Sequence, residues 1–128
     1  MKSLKLLFLS TPSGPLGTGT VGGVELTLQN LSDEMASRGH QVKVVAPLGS
    51  QLAHTSNTIP GNISLVTIAG EAPVPAQNQP RTADICLPAH SVLAGMWDYA
   101  QQHQGEHDLI INFAYDWLPL YLTPFFSI

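Results

Sequence analysis

The chain has 128 residues, of which 44% are hydrophobic and 11% charged, with a formal net charge of −4. That is the length of one domain able to bury a real core, and the five Lys and Arg residues, scattered along the sequence, leave no footprint for nucleic acid. The lone cysteine, Cys86, excludes an intrachain disulfide, fits a reducing compartment and reads as a buried apolar residue, since no neighbour supplies a base.

At the amino terminus Leu4, Leu6, Leu7, Phe8 and Leu9 make a short apolar run interrupted by Lys5. It leads into Pro12 and glycines instead of a small-residue cleavage site, so it reads as a first strand and not a signal peptide. No later run approaches the ~20 apolar residues of a membrane helix. The expectation is a cytoplasmic protein without an integral membrane segment. Gly14 to Glu25 then holds five glycines, Gly14, Gly17, Gly19, Gly22 and Gly23, which let the backbone take positive φ and approach a ligand closely. Val24, Leu28, Leu31 and Met35 recur on one helical face and predict a helix from about Val24 to Arg38, stopped by Gly39. Its first turn presents free N–H groups and a positive dipole end. Strand, glycine loop and helix together form an entrance suited to a nucleotide or sugar, although a glycine-rich turn also serves as a plain tight connection. No Gly-x-Gly-x-x-Gly runs straight from strand into helix, the loop is longer than a Rossmann turn, and there is no Gly-Lys-Ser/Thr, so the dinucleotide and P-loop fingerprints fit poorly.

Val42, Val44, Val45 and Ala46 predict a second, β-branched strand, which completes a βαβ unit and sets the class as α/β with a parallel sheet. Leu48 to Asn62 is rich in Ser, Thr, Asn and Gly and reads as a surface loop before a third strand at Ile63, Leu65, Val66 and Ile68. Gly70 to Arg81, with Pro73, Pro75 and Pro80, predicts an irregular excursion at the rim of the sheet, either functional or a plain linker. A second helix begins near Ala89 or Ser91, buries Val92, Leu93, Met96, Trp97 and Ala100, and stops at Gly105. Leu109 to Phe113 forms a further strand, followed by Asn112-Phe-Ala-Tyr-Asp-Trp117 and a last helix from Leu118 to Phe126 with Pro119 in its first turn. His54, His90, His103 and His107 show no metal-ligand spacing with Cys, Asp or Glu.

Gly22-Gly-Val-Glu25, the helix ending Arg38-Gly-His40 and the Val-rich strand ending Pro47 follow one another in an order that resembles the N-terminal half of GT-B glycosyltransferases of the retaining, family-four type. Leu9-Ser-Thr-Pro12, Gly22 to Leu28 and Asn112 to Trp117 are similar to the members that glucosylate pteridines, the UDP-glucose:tetrahydrobiopterin glucosyltransferases of cyanobacteria. The resemblance spans essentially the whole chain and implies a Rossmann-like parallel sheet with flanking helices, residues 1–128 being the acceptor-side domain without its donor-binding C-terminal domain. It implies a UDP-sugar donor, a small acceptor such as tetrahydrobiopterin and no separate cofactor. It also implies a fragment inactive by itself, whose open edge a partner or a second copy would cover.

Gly22 and Gly23 would then lie near the donor phosphate and sugar, and Glu25 near the acceptor or in ordering the loop, unless it only complements the helix dipole. The fourth strand would lie on the far side of the first, with the crevice between them at the topological switch point. Tyr115, Asp116 and Trp117 would leave that strand into the crevice. A carboxylate such as Asp116 can pair in a bidentate way with the 2-amino and N3–H edge of a pterin, and Tyr115, Trp117 or Phe113 can stack on the ring. Alternatively Asp116 caps the last helix and the aromatics fill the core. His40 would be a structural link between helix and strand. A non-catalytic Rossmann-like binding module is the alternative at the level of function. A flavodoxin-like or dinucleotide-binding protein is disfavoured by Pro47, where an acidic residue would end the second strand.

Overall fold

The structure is a computed structural model that describes residues 2–19, 22–52, 62–72, 90–114 and 117–127, except for the side chain of Trp117. Its elements run β1 (Lys5–Leu9), α1 (Gly23–Ser37), β2 (Gln41–Pro47), β3 (Ile63–Ile68), α2 (Val92–His103), a 3-10 turn at Gln104–Glu106, β4 (Leu109–Asn112), α3 (Trp117–Leu122) and a closing 3-10 turn at Thr123–Phe125. The four strands form one sheet in the order β3-β2-β1-β4, and every neighbouring pair is parallel. This is a Rossmann-like α/β arrangement.

The two faces of the sheet follow from side-chain alternation along each strand. Leu6 and Phe8 of β1, with Val42, Val44 and Ala46 of β2, pack with Leu16 and Leu28 on the side covered by α1. Leu7, Leu9 and Val45 point the other way, into Val92, Leu93, Met96, Trp97 and Ala100 of α2. The second helix therefore buries the five residues its periodicity predicted, and Trp97 meets Phe126 edge-on at 5.6 Å between ring centroids. Ser91 caps it, its Oγ accepting from the Ala94 N–H at 3.2 Å.

In α1 the predicted face is shifted. Val24 remains 37% exposed in the first turn, whereas Leu28, Ser32 and Ala36 are buried. The Ser32 hydroxyl is satisfied inside the helix by donating to the Leu28 carbonyl at 2.7 Å, which makes a polar residue tolerable there. The helix stops in a Schellman arrangement: Gly39 N–H donates to Ala36 O and His40 N–H to Met35 O. His40 is only 7% exposed. Its Nδ1 accepts from the Leu4 N–H at 3.1 Å, tying the α1–β2 turn to the start of β1 as expected of a structural link.

At the other strand starts, Asp108 holds β4 to β1 reciprocally, its carboxylate accepting from the Lys5 N–H and its own N–H donating to the Lys5 carbonyl. The last helix is shorter than its sequence pattern predicted, because Pro124 offers no N–H to continue the ladder and the chain tightens into the 3-10 turn. Gly105 likewise falls within a 3-10 turn rather than ending α2 directly. No helix among the described residues is long and apolar enough to cross a membrane. The expectations for residues 53–61 and 73–89, including Cys86, lie outside the described residues.

Candidate functional site at the carboxyl ends of the strands

With β2 on one side of β1 and β4 on the other, chain direction reverses its lateral progress at β1, and the crevice between the carboxyl ends of β1 and β4 is the switch point of this sheet. The segment after β1 forms one wall. Leu16, 1% exposed, anchors it in the α1-side core. The Leu16 N–H donates to the Ser50 hydroxyl at 2.8 Å, and that hydroxyl donates on to Pro47 O at 2.6 Å. The Gln51 N–H donates to the Leu16 carbonyl at 2.8 Å. The loop is thus sewn to the end of β2.

Gly17 sits where no other residue fits well. Its φ is +84°, and an added Cβ would lie 2.7 Å from the Gln51 carbonyl oxygen. The Gly17 N–H donates to Glu25 Oε1. Glu25 therefore orders the glycine loop from the first turn of α1, the second of the two roles the family resemblance implies for it. Thr18 adds a hydroxyl bond to the Pro15 carbonyl at 2.7 Å.

Beyond this pinned part the backbone opens. Gly22 caps α1 with φ 58° and ψ −132°, a conformation reserved for glycine, and having no side chain it makes no side-chain cap bond to the 15-residue helix. An added Cβ at Gly22 or Gly23 would meet nothing within 4 Å. The two glycines singled out by sequence thus stand beside open space at a helix start.

Ser10 is the residue sequence reasoning passed over. It follows the last residue of β1 and continues the Leu6, Phe8 alternation toward the α1 side. It is 0% exposed, and its Oγ has no hydrogen-bond partner among the described residues. A buried hydroxyl left unpaired costs roughly 1–3 kcal/mol, so an unpaired one at the mouth of a crevice marks a position where a ligand oxygen would be welcome. The available signal was a serine in the third place of an otherwise apolar alternation.

The opposite wall begins at the end of β4. Asn112 folds its side-chain amide onto Ala114, Oδ1 accepting from the Ala114 N–H at 2.8 Å and Nδ2 donating to the Ala114 carbonyl at 3.0 Å. That turn ends the strand. Phe113 leans on Phe8 with ring centroids 5.5 Å apart, in the α1-side core, so one of its faces is already occupied. Tyr115 and Asp116 lie outside the described residues, as does the Trp117 side chain; Trp117 begins α3. Gly22, Gly23 and Glu25 lie together at the start of α1, Gly22 as its N-cap and Glu25 in its first turn. His90 is exposed, and its carbonyl accepts from the Glu71 N–H at 2.6 Å.

Compared with models of known protein families and with curated proteins, the sequence matches none.

Proposed function

We propose that this chain is the acceptor-side half of a cytoplasmic, retaining GT-B type glycosyltransferase, transferring glucose or a similar sugar from a UDP-sugar to a small acceptor of the pterin type. The observation that carries the reading is the buried Ser10 hydroxyl, without a partner among the described residues, at the carboxyl end of β1, the strand from which the parallel sheet grows in both directions and which the glycine-rich entry to α1 follows. The backbone N–H groups and positive dipole end of a helix start favour an anionic oxygen such as a diphosphate oxygen, and Gly22 and Gly23 leave room for it. Glu25 acts by holding Gly17, which keeps a carboxylate out of the anion's way while fixing the loop. Tyr115, Asp116 and Trp117 would supply the acceptor's contacts: the carboxylate to the pterin edge, the rings to its face. Turnover would require the donor-holding domain as well.

A ligand-binding module without chemistry is the second reading, favoured because the one carboxylate at the glycine wall among the described residues is committed to backbone. Calorimetric titration of this chain with tetrahydrobiopterin and, separately, UDP-glucose tests the proposal, with Ser10→Ala and Asp116→Ala as variants. Pterin binding abolished by Asp116→Ala and weak UDP-glucose binding lowered further by Ser10→Ala are the expected results. Binding of neither ligand, or binding indifferent to both substitutions, would overturn the assignment of these two walls.

A further inference from the structure

Two concavities among the described residues lie at the opposite end of the sheet from the carboxyl ends of the strands. One, of about 310 Å³, is lined by Lys5, Gln41, Lys43, Asn62, Ser64 and His107 among others. A second, of about 300 Å³, adds Lys2, Ser3 and Asp108 and shares Lys5, Glu106 and His107 with the first. Together they form a shelf around His107 at the amino ends of β1, β2 and β4.

Charge is concentrated there. Lys2, Lys5 and Lys43 are three of the five Lys and Arg residues in a chain of net charge −4. The parallel register places Lys5 beside Gln41 and Leu7 beside Lys43, so Lys5 and Lys43 both project from the α2 face, one pleat repeat apart on adjacent strands. Their Cβ atoms are then about 8 Å apart by sheet geometry, a span that the two ammonium groups can close on one oxyanion.

Two acids, Glu106 and Asp108, share the shelf, and each has another partner as well. Asp108 accepts from the Lys5 backbone N–H at 2.8 Å, and Glu106 Oε2 lies 2.7 Å from His103 Nδ1. The ion pairs among the described residues are Arg38–Glu34 and His103–Glu106, and no lysine takes part in either. Both ring nitrogens of His107 are buried and lack a hydrogen-bond partner among the described residues. Burial chiefly, and then Lys43, hold its imidazole below the ordinary value, with Glu106 opposing and His103 and Lys5 adding to the effect. Lys5 and Lys43 take part in neither of these ion pairs, although the Glu106 carboxyl, lowered first by His103, also feels Lys43; around a histidine with two orphaned nitrogens they make an arrangement that a doubly charged anion completes.

We propose that this amino-end shelf binds a small phosphate-class oxyanion, held by the Lys5 and Lys43 ammonium groups and by an N–H of His107. The site is separate from the crevice and does not depend on the glycosyltransferase reading. It faces the rim away from the carboxyl ends of the strands, so its occupant is a second ligand and not the reacting one.

The test is a titration of the protein with inorganic phosphate at constant ionic strength, followed by amide and imidazole ¹⁵N shifts. The expected result is a saturable shift of the Lys5, Leu6, Lys43, His107 and Asp108 amides and of the His107 ring. Lys43→Gln should weaken it by about fivefold or more, as loss of one charge-assisted bond requires, while Arg38→Gln leaves it unchanged. Lys5→Gln provides the same comparison if Lys43→Gln does not fold, native amide dispersion being the criterion. A non-saturating response, or equal affinity in the lysine variants and the wild type, would overturn the shelf. Shifts confined to Ser10 and Gly22–Glu25 would also overturn it, and would instead support the crevice as the phosphate site.

Discussion

Replacing Gly17 by alanine separates the two ways in which glycines serve the loop, with Gly19→Ala as its comparison. Both residues have positive φ, +84° and +79°. A Cβ in that region costs roughly 1–2 kcal/mol, partly offset in both variants by about 0.4–1 kcal/mol from the stiffer unfolded chain. At Gly19 nothing lies within 4 Å of the new methyl group, so the account closes there at about 0.5–1 kcal/mol. At Gly17 the methyl would sit 2.7 Å from Gln51 O and 3.2 Å from Gln51 Cβ. The obstacle is backbone, held by the Gln51 N–H bond to the Leu16 carbonyl at 2.8 Å. Relieving the overlap means giving up that bond, about 1 kcal/mol, and loosening Leu16, whose full burial is worth roughly 1.5–3 kcal/mol. Gly17→Ala should therefore cost about 2 kcal/mol more than Gly19→Ala, a difference in Tm of roughly 6–10 °C for a domain of this size. Thermal and urea unfolding followed by far-UV circular dichroism would measure it. Equal midpoints for the two variants would refute the claim that the loop is pinned at Gly17.

His40→Ala should lower stability by about 1–2 kcal/mol in urea titration, because the part-buried Leu4 N–H loses its only described acceptor. Ser10→Ala should leave the unfolding midpoint unchanged or raise it, since it removes an unpaired buried hydroxyl; a clear loss of stability would show that the hydroxyl has a protein partner. The pH dependence of stability should carry a contribution from His107. Its folded pKa lies below the ordinary 6.5, so the unfolded chain takes up a proton that the folded one resists. The contribution is complete above pH 6.5 and is lost as pH falls through 6.5 toward the folded value. Unfolding midpoints between pH 5 and 8 should be flatter for His107→Gln than for the wild type, and parallel profiles would refute the burial of this ring.

The strands, the two main helices and their caps were legible because their signals are local. Alternation in Leu6–Leu9 places opposite residues on opposite faces wherever a strand forms, and Val92, Leu93, Met96, Trp97 and Ala100 recur at helical spacing whatever they pack against. The glycines at 22 and 23 announce the start of α1, and Gly39 announces its stop. Val24 shows where this kind of reading stops: periodicity assigns it to the apolar face, but only the position of the first turn relative to the sheet leaves it exposed.

What the tertiary structure alone decided are the relationships between distant segments. The Glu25 carboxylate holds Gly17, a bond that depends on how an irregular loop folds back on the helix. Ser10 is orphaned only because β1 is central and covered by α1. Lys2, Lys5 and Lys43 look scattered along the chain and gather only when β1 and β2 pair in parallel at the register that sets Lys5 beside Gln41. Register is a property of the packed sheet, fixed by which apolar rows must face α1 and which α2. Local pattern determined what each segment is, and long-range packing determined which polar groups were left without partners.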